Sequence, residues 1–285
     1  GNWYSTRQSY SMGMLCGIAG YVYFANTLVL SARIRCFDLL FGHDRVMVFH
    51  GWLAGVGFAL ACAHAAFKSL YFGFGTTQVT LGIVALGLFA AVVLVTVLFM
   101  VGNPLHRIGA MAALRAFGVR RLGLDYSRLK LFHNRTASAL ALVTVHVLMA
   151  APTAETRARL GLMGAWGAAA LLVHFYHKVL RLAFRHRRAF RVTAVRRLSG
   201  SAAEIRAARP GGSKLAHRAG QFAFFRVLSP GFGLDEHPFT ISSPPGSETL
   251  QITVKALGDY SAALPAVAAG ARLLCDGPYG RFTPV

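Results

Sequence analysis

From Val79 to Val101 the sequence reads VTLGIVALGLFAAVVLVTVLFMV, without one ionisable side chain. A run of about 20 apolar residues, coiled as a helix, matches the roughly 30 Å hydrocarbon core of a bilayer. Only a helix or a closed barrel satisfies its own backbone there. Four further segments have similar length and apolarity: Met12–Ser31, Val46–Phe72, Leu129–Ala151 and Leu160–Ala183. The pattern therefore predicts a multi-pass, all-α transmembrane bundle of five spans over residues 1–188. The chain of 285 residues is 55% hydrophobic and only 14% charged, yet carries a formal net charge of +20.

That excess charge is not spread evenly. Arg33, Arg35 and Arg45 follow the first span, and Arg107, Arg115, Arg120, Arg121 and Arg128 follow the third. Lys178, Arg181, Arg185, Arg187, Arg188 and Arg191 lie at and beyond the end of the fifth. The intervening loops are neutral or nearly so. Basic loops stay on the cytoplasmic side, so these three connections and everything after them are expected in the cytosol of a cell-membrane protein. Because the basic residues flank apolar runs instead of forming a patch on a polar domain, nucleic acid is excluded as a partner and membrane lipid is expected. The sequon Asn134-Arg135-Thr136 falls on the cytosolic side and is discounted. Cys16, Cys36, Cys62 and Cys275 form no close pair, so no zinc site or disulfide framework is implied.

Ionisable residues at membrane depth are costly and point to function. His50 and His64 share one span, 14 residues apart; His133 and His146 share another, 13 apart. Along a helix these separations are roughly 21 Å and 20 Å. With one helix between them the two spans run parallel. His50 and His133 then lie at an inner level, and His64 and His146 at an outer one. Two pairs at matched depths suit the axial ligands of two stacked haems. One feature strains the pattern: 14 residues return to nearly the same helix face, whereas 13 leave an offset of about 140°. The span with His133 and His146 must tilt, bulge, or present its imidazoles from different sides. His174 and His177 are read as interfacial, and His43, His106 and His186 as loop residues. Arg33 and Arg35 suit anionic haem propionates or topology determination equally.

From about Phe190 short alternating runs appear, FRVTAVRRL, AAEIRAA, GQFAFFRVL, TLQITVKAL and ARLLCDG, separated by Gly and Pro turns. They predict a cytosolic antiparallel β-barrel over residues 189–285. No glycine-rich nucleotide motif occurs in the sequence.

Within that region stand HPFTISSPP (from His237), KALGDYS (Lys255–Ser261) and DGPYG (Asp276–Gly280). Together with GQFAFFRV (Gly220–Val227), FGHDRVMVFHGW (Phe41–Trp52) and the four spaced histidines, they resemble the NADPH oxidase and ferric reductase superfamily over nearly the whole chain. The resemblance implies an FAD-binding domain contributed by His237, Pro238, Phe239, Thr240, Ile241, Ser242 and Ser243 and by Lys255, Gly258, Tyr260 and Ser261. Thr240 and Ser242 would offer hydroxyls to the flavin, and Phe239 or Tyr260 a ring. His237, Lys255, Ser261 and N–H groups near Gly258 would suit the pyrophosphate. The resemblance further implies two haem b groups and electrons passed from NADPH or NADH through FAD and haem to an outside acceptor. That acceptor is O2, giving superoxide, or a ferric chelate. Where such families carry six spans and a nicotinamide-nucleotide domain, the first span and that domain are expected to be missing here, so a separate reductase domain or subunit is implied. Where animal superoxide-producing members have a histidine four residues after the outer ligand, this chain has Lys68, read as interfacial. Two other classes remain: a haem-only subunit relaying quinol electrons, and a channel with a histidine relay.

Overall fold

A computed structural model describes residues 3–70, 75–100, 109–124, 126–233 and 235–281. Phe72, Val101, His106 and Arg107 lie outside the described residues. In chain order the helices are α1 (Trp3–Leu30), α2 (Arg35–Phe41), α3 (His43–Ser69), α4 (Thr77–Val95), α5 (Gly109–Leu122), α6 (Tyr126–His133), α7 (Thr136–Leu148), α8 (Ala151–Ala154), α9 (Arg157–Phe175) and α10 (Arg181–Arg187). A π-helical turn follows α4 (Thr96–Met100) and another follows α9 (Tyr176–Leu180). The chain divides into two compact units, Gly1–Ala32 with Met47–Phe175, and Arg33–Val46 with Tyr176–Val285.

In the first unit four helices are long and apolar enough to cross a bilayer: Gln8–Leu30, His43–Ser69, Thr77–Met100 and, continuing past the unit's end, Arg157–Arg187. The expected span 129–151 is corrected. It is two shorter helices, α6 and α7, parted by a turn at Asn134 and Arg135. There Arg135 N–H donates to Phe132 O (2.9 Å) and Ala137 N–H to Asn134 O (3.3 Å), bonds that reach back only three residues. At 1.5 Å per residue α7 alone covers about 20 Å, while α6, the turn and α7 together run about 34 Å, comparable to the hydrocarbon thickness but in two pieces. Polar Asn134 and Arg135, beside Thr136, supply the break.

α7 packs against α4, α9 and α1, burying Ala139, Leu140 and Thr144. Gly167 of α9 lets Thr144 and Tyr21 come close, and the Tyr21 hydroxyl donates to Met163 O at 2.7 Å. Phe24 of α1 stacks on Phe89 of α4 at 3.8 Å between centroids. α3 differs. Among the described residues it forms no extended close-backbone interface with another element. It touches α1 where Gly20 and Gly57 allow the backbones together, a Cβ on Gly20 standing 3.3 Å from Gly57 O. Trp52 of α3, like Leu162 and Leu172 of α9, points outward and exposed, the apolar exterior that lipid accepts and water does not.

In the second unit six strands, β1 (Phe190–Ser199), β2 (Ala202–Ala208), β3 (Phe222–Leu228), β4 (His237–Thr240), β5 (Thr249–Lys255) and β6 (Arg272–Tyr279), form one sheet in the order β4-β3-β6-β1-β2-β5. All neighbours are antiparallel. Alternation turns Ile205 and Ala207, Ala223, Phe225 and Val227, and Leu250, Ile252 and Val254 into one core. The β1–β2 hairpin closes at Gly200, whose φ of +44° suits a tight two-residue turn. A short helix, α11 (Asp259–Ala263), follows β5.

The closed barrel expected from the sequence is corrected to an open sheet. Its edge strands β4 and β5 share no ladder and meet at the single bridge Ile241↔Ile252, with Ser242 N–H donating to Gln251 O at 2.8 Å. β4 is four residues long, and Pro244 and Pro245, which lack N–H donors, prevent the pairing from running further.

Candidate functional site

The four histidines singled out in the apolar runs come together as two facing pairs. His50 of α3 faces His133, the last residue of α6, with ring centroids 6.4 Å apart and planes tilted by 55°. His64 of α3 faces His146 of α7 at 6.1 Å and 84°. The break at Asn134 and Arg135 removes the phase conflict in the sequence. His133 and His146 sit on separate helices, so 13 residues need not return to one face.

Each imidazole is held through Nδ1. His64 Nδ1 lies 2.8 Å from Gly13 O, His146 Nδ1 2.7 Å from Gln78 O, and His50 Nδ1 2.9 Å from Thr27 O. A carbonyl only accepts, so these three rings donate from Nδ1. His133 Nδ1 lies 2.9 Å from Thr96 Oγ1. The Thr96 hydroxyl donates to Val92 O at 2.7 Å, so its oxygen accepts from His133 in turn. In its neutral form each of the four rings would thus carry its proton on Nδ1 and the lone pair on Nε2, the nitrogen a metal takes.

Glycines make room for this. A Cβ on Gly17 would stand 2.6 Å from His64 Nδ1, and one on Gly82 2.8 Å from His146 Cε1. Each glycine lies four residues after the carbonyl that accepts from the ring, where a larger residue would push the ring away. Gly17, Gly82 and Thr96 were not legible as site residues; a glycine in an apolar helix gave the only signal. Among the described residues no group of three or more His, Cys, Asp or Glu could hold a bare metal ion. Each pair offers two imidazoles and suits an iron whose remaining ligands come with it. Two imidazoles on opposite sides of one iron, with iron–nitrogen bonds of about 2 Å, bring their centroids to about 6 Å.

In the second unit, residues 237–243 run along an edge. His237 stacks on Tyr260, 3.6 Å between centroids and 19° between planes. Pro238 and Thr240 face outward and exposed, while Ile241 is buried in the core. Phe239 leans on the core beside Phe225, so its ring faces the core. The Tyr260 ring also meets Phe232, and its hydroxyl accepts from Val227 N–H at 3.3 Å; burial raises its pKa. Ser242 Oγ accepts from Thr253 Oγ1 at 3.1 Å. The Ser243 hydroxyl is buried with no hydrogen-bond partner, a cost of about 1–3 kcal/mol that a polar ligand or water would remove. Ser261 Oγ accepts from the N–H groups of Leu257 and Gly258 at 2.9 and 3.0 Å, which shapes the turn after exposed Lys255.

Arg33 and Arg35 are placed in this same unit. Arg35 donates to Gly277 O at 2.8 Å. Arg33 pairs with Glu236 (2.7 Å) and Asp276 (3.1 Å) and lies 3.6 Å over the Phe224 ring. Its φ of +50° is strained for a side-chain-bearing residue, and these contacts hold it there. Asp276 also receives Arg181 (2.8 Å), Arg185 (2.6 Å) and the Tyr279 hydroxyl (2.8 Å). Glu236 also receives Arg185 (2.8 Å) and Arg226 (3.5 Å). Burial alone would raise the Glu236 pKa; Arg33 and Arg185 outweigh it and hold the carboxyl below its usual range. Burial, then Asp276, raises the Tyr279 phenol, and burial lifts the Cys275 thiol to about 12, leaving it protonated and inert. His43, read from sequence as a loop residue, packs among Phe222, Phe224 and Tyr279 at 5.5–6.2 Å.

A family model described as an FAD-binding domain matches residues 187–283. Among solved structures, the chain is similar to the flavohaem-like FAD/NAD binding domain of nitric oxide dioxygenase from Vibrio cholerae O1 biovar El Tor, at 20% identity and a TM-score of 0.31, over 34% of this chain and 46% of that one. It is similar to the cytochrome b5 reductase domain of Ulva prolifera nitrate reductase, at 15% identity and 0.30, over 34% and 42%. It is also similar to flavohemoglobin from Malassezia yamatoensis, at 14% identity and 0.32, over 97% and 63%. The chain spans less than half the length of the first two. No curated protein matches it.

Because the folded-state pKa of Glu236 is depressed, its stabilisation is complete above the unfolded value of about 4.3 and is lost as pH falls through the folded one. Glu236→Gln is expected to lower stability at neutral pH by about 3 kcal/mol and to flatten that acid limb. Thermal unfolding of both proteins across acidic pH checks it.

Proposed function

We propose that this chain is the membrane and flavin part of an oxidoreductase that carries electrons across a bilayer. The reading is supported above all by the two imidazole pairs, each spaced for one iron and each oriented by Nδ1. Their separation along α3 is about 20 Å, some two thirds of the hydrocarbon thickness. α3 meets α6 and α7 through facing rings instead of closely packed backbones, which suits a planar porphyrin at each level. His50 and His133 would hold the inner haem, His64 and His146 the outer one.

When bound, FAD would accept a hydride from NADPH or NADH, and the two haem b irons would pass its electrons singly to an acceptor outside. The chain's own residues position these groups. Thr240 presents its hydroxyl on the exposed face of β4, His237 is braced by Tyr260, and Lys255 offers a cation near the turn at Gly258. The FAD-binding match over residues 187–283 supports the flavin half of the reading and favours it over a haem-only quinol-linked subunit. Apolar outward faces on four long helices support a multi-pass place in the cell membrane, with the basic loops and flavin domain in the cytosol. O2, giving superoxide, is the favoured acceptor, and ferric chelate the alternative. The nicotinamide nucleotide would be handled by a separate domain or subunit. Arg33 and Arg35 act here on the flavin unit, where they bind carboxylate and carbonyl oxygens.

His64→Leu is expected to lose one of two haems, halving the haem-to-protein ratio by pyridine haemochrome assay. An unchanged ratio would contradict the assignment. Thr240→Ala removes one hydrogen bond to flavin, about 1 kcal/mol, and should weaken FAD retention about fivefold while haem stays constant. Equal FAD content in the two proteins would remove Thr240 from the site.

A further inference from the structure

The second unit holds a cavity of about 390 Å³ lined by Arg187, Arg188, Ala189, Arg209, Pro210 and Ser213. Its volume falls in the range of small-molecule sites, roughly 300–1,000 Å³. Arg187 is the last residue of the candidate span Arg157–Arg187, so the cavity begins where that apolar helix ends. Three arginines line it. Among the described residues no carboxylate is paired with any of them. The contrast is with Arg33, Arg181, Arg185 and Arg226, which share Glu236 and Asp276.

Arg209 is the fixed member. Its guanidinium lies 4.3 Å from the centroid of the Phe190 ring, and Nη1 reaches Lys214 O only at 3.5 Å. Its Nε is buried without a hydrogen-bond partner. Burial, and the nearby like charge of Arg188, press its pKa down. An arginine cluster with an unused buried donor and no counter-charge is arranged for a ligand that brings negative charge and several acceptor oxygens. Guanidinium forks match phosphate oxygens in pairs.

The cavity is separate from the flavin's phosphate-binding turn. Lys255 pairs with Ala202 at the start of β2, whereas Arg209 follows Ala208 at its far end. Seven residues of strand place them about 20 Å apart. The ligand must therefore come from elsewhere, and the position at the polar end of a span selects the source.

We infer that Arg187, Arg188 and Arg209 form a phosphate site that takes the headgroup of an anionic phospholipid from the cytosolic leaflet. Such a lipid would anchor the start of the flavin domain, at the residue before β1, to the membrane surface. Each basic residue near an anionic surface contributes about 1 kcal/mol, a factor of about five in affinity. The inference rests on the membrane reading of Arg157–Arg187, and the test separates the two.

The full chain, with its cofactors, is assembled into nanodiscs of phosphatidylcholine with a minor fraction of phosphatidylglycerol, and retained lipid is counted by native mass spectrometry. The protein should retain phosphatidylglycerol preferentially. Arg188→Gln and Arg209→Gln should each cut that retention about fivefold, with flavin content unchanged. Arg196→Gln, which removes the same charge from an exposed position on β1, should leave retention as it was. Equal losses in all three variants would reduce the effect to net charge and overturn the site. Inorganic phosphate displacing the lipid at matched phosphate concentration would overturn the lipid source in favour of a soluble anion. Failure of the chain to enter nanodiscs would overturn the membrane reading itself, and entry without lipid preference the site alone.

Discussion

An imidazole placed among apolar helices must satisfy two nitrogens, and in this chain the answer is the same at four positions. Nδ1 donates to an oxygen on a neighbouring helix, which fixes tautomer and ring orientation together. Nε2 is thereby left carrying the lone pair. The helices that supply the oxygens are α1 and α4, with the π turn that follows α4. The glycines on α1 and α4 that admit His64 and His146 lie one turn beyond the accepting carbonyls. The helix arrangement follows from this. α1 and α4 pack tightly with α7 and α9, while α3 is brought in chiefly by its histidines and by the Gly20–Gly57 crossing. A bundle built for packing alone would have closed against α3.

The second unit solves a different problem. Two carboxylates, Glu236 and Asp276, gather four arginines from the segment after α1, from α10 and from β3. Removing one acid would strand several buried cations, so the network makes this assembly specific more than it makes it stable. Residues 33–46 are thereby part of the second unit, although they lie in sequence between two long apolar helices. Arg33 holds a left-handed backbone conformation at the start of that segment, and its two carboxylate partners offset the strain.

Much of this was legible in the residues. The apolar runs gave four long helices, and the period-two alternation in GQFAFFRVL and TLQITVKAL gave strands β3 and β5. The pairing of the four histidines was legible because ionisable residues inside apolar runs are conspicuous. An irregularity between His133 and His146 was expected from their spacing, but the place of the break between α6 and α7 was not. Hydropathy averages over Asn134 and Arg135 and reads a continuous span, yet the awkward 13-residue spacing already carried the information. The open sheet was hidden because strand patterns do not report closure, although Pro244 and Pro245 mark where β4 must stop. Phe239 and Ile241 face the core by strand alternation, which leaves Pro238 and Thr240 exposed, Thr240 being the one with a hydroxyl. The arginine–carboxylate network was invisible. Its basic members had a sufficient explanation in topology, and nothing local in a sequence pairs Asp276 with Arg33.

The central claim, that two imidazole pairs each clasp one iron, is tested most directly by low-temperature electron paramagnetic resonance of the oxidised purified protein. The geometry predicts two low-spin ferric haems of equal intensity, both with two nitrogen axial ligands. The ring tilts of 55° and 84° predict a strongly anisotropic signal from the near-perpendicular pair. A colourless protein, or a single high-spin haem with one histidine ligand, would contradict the account.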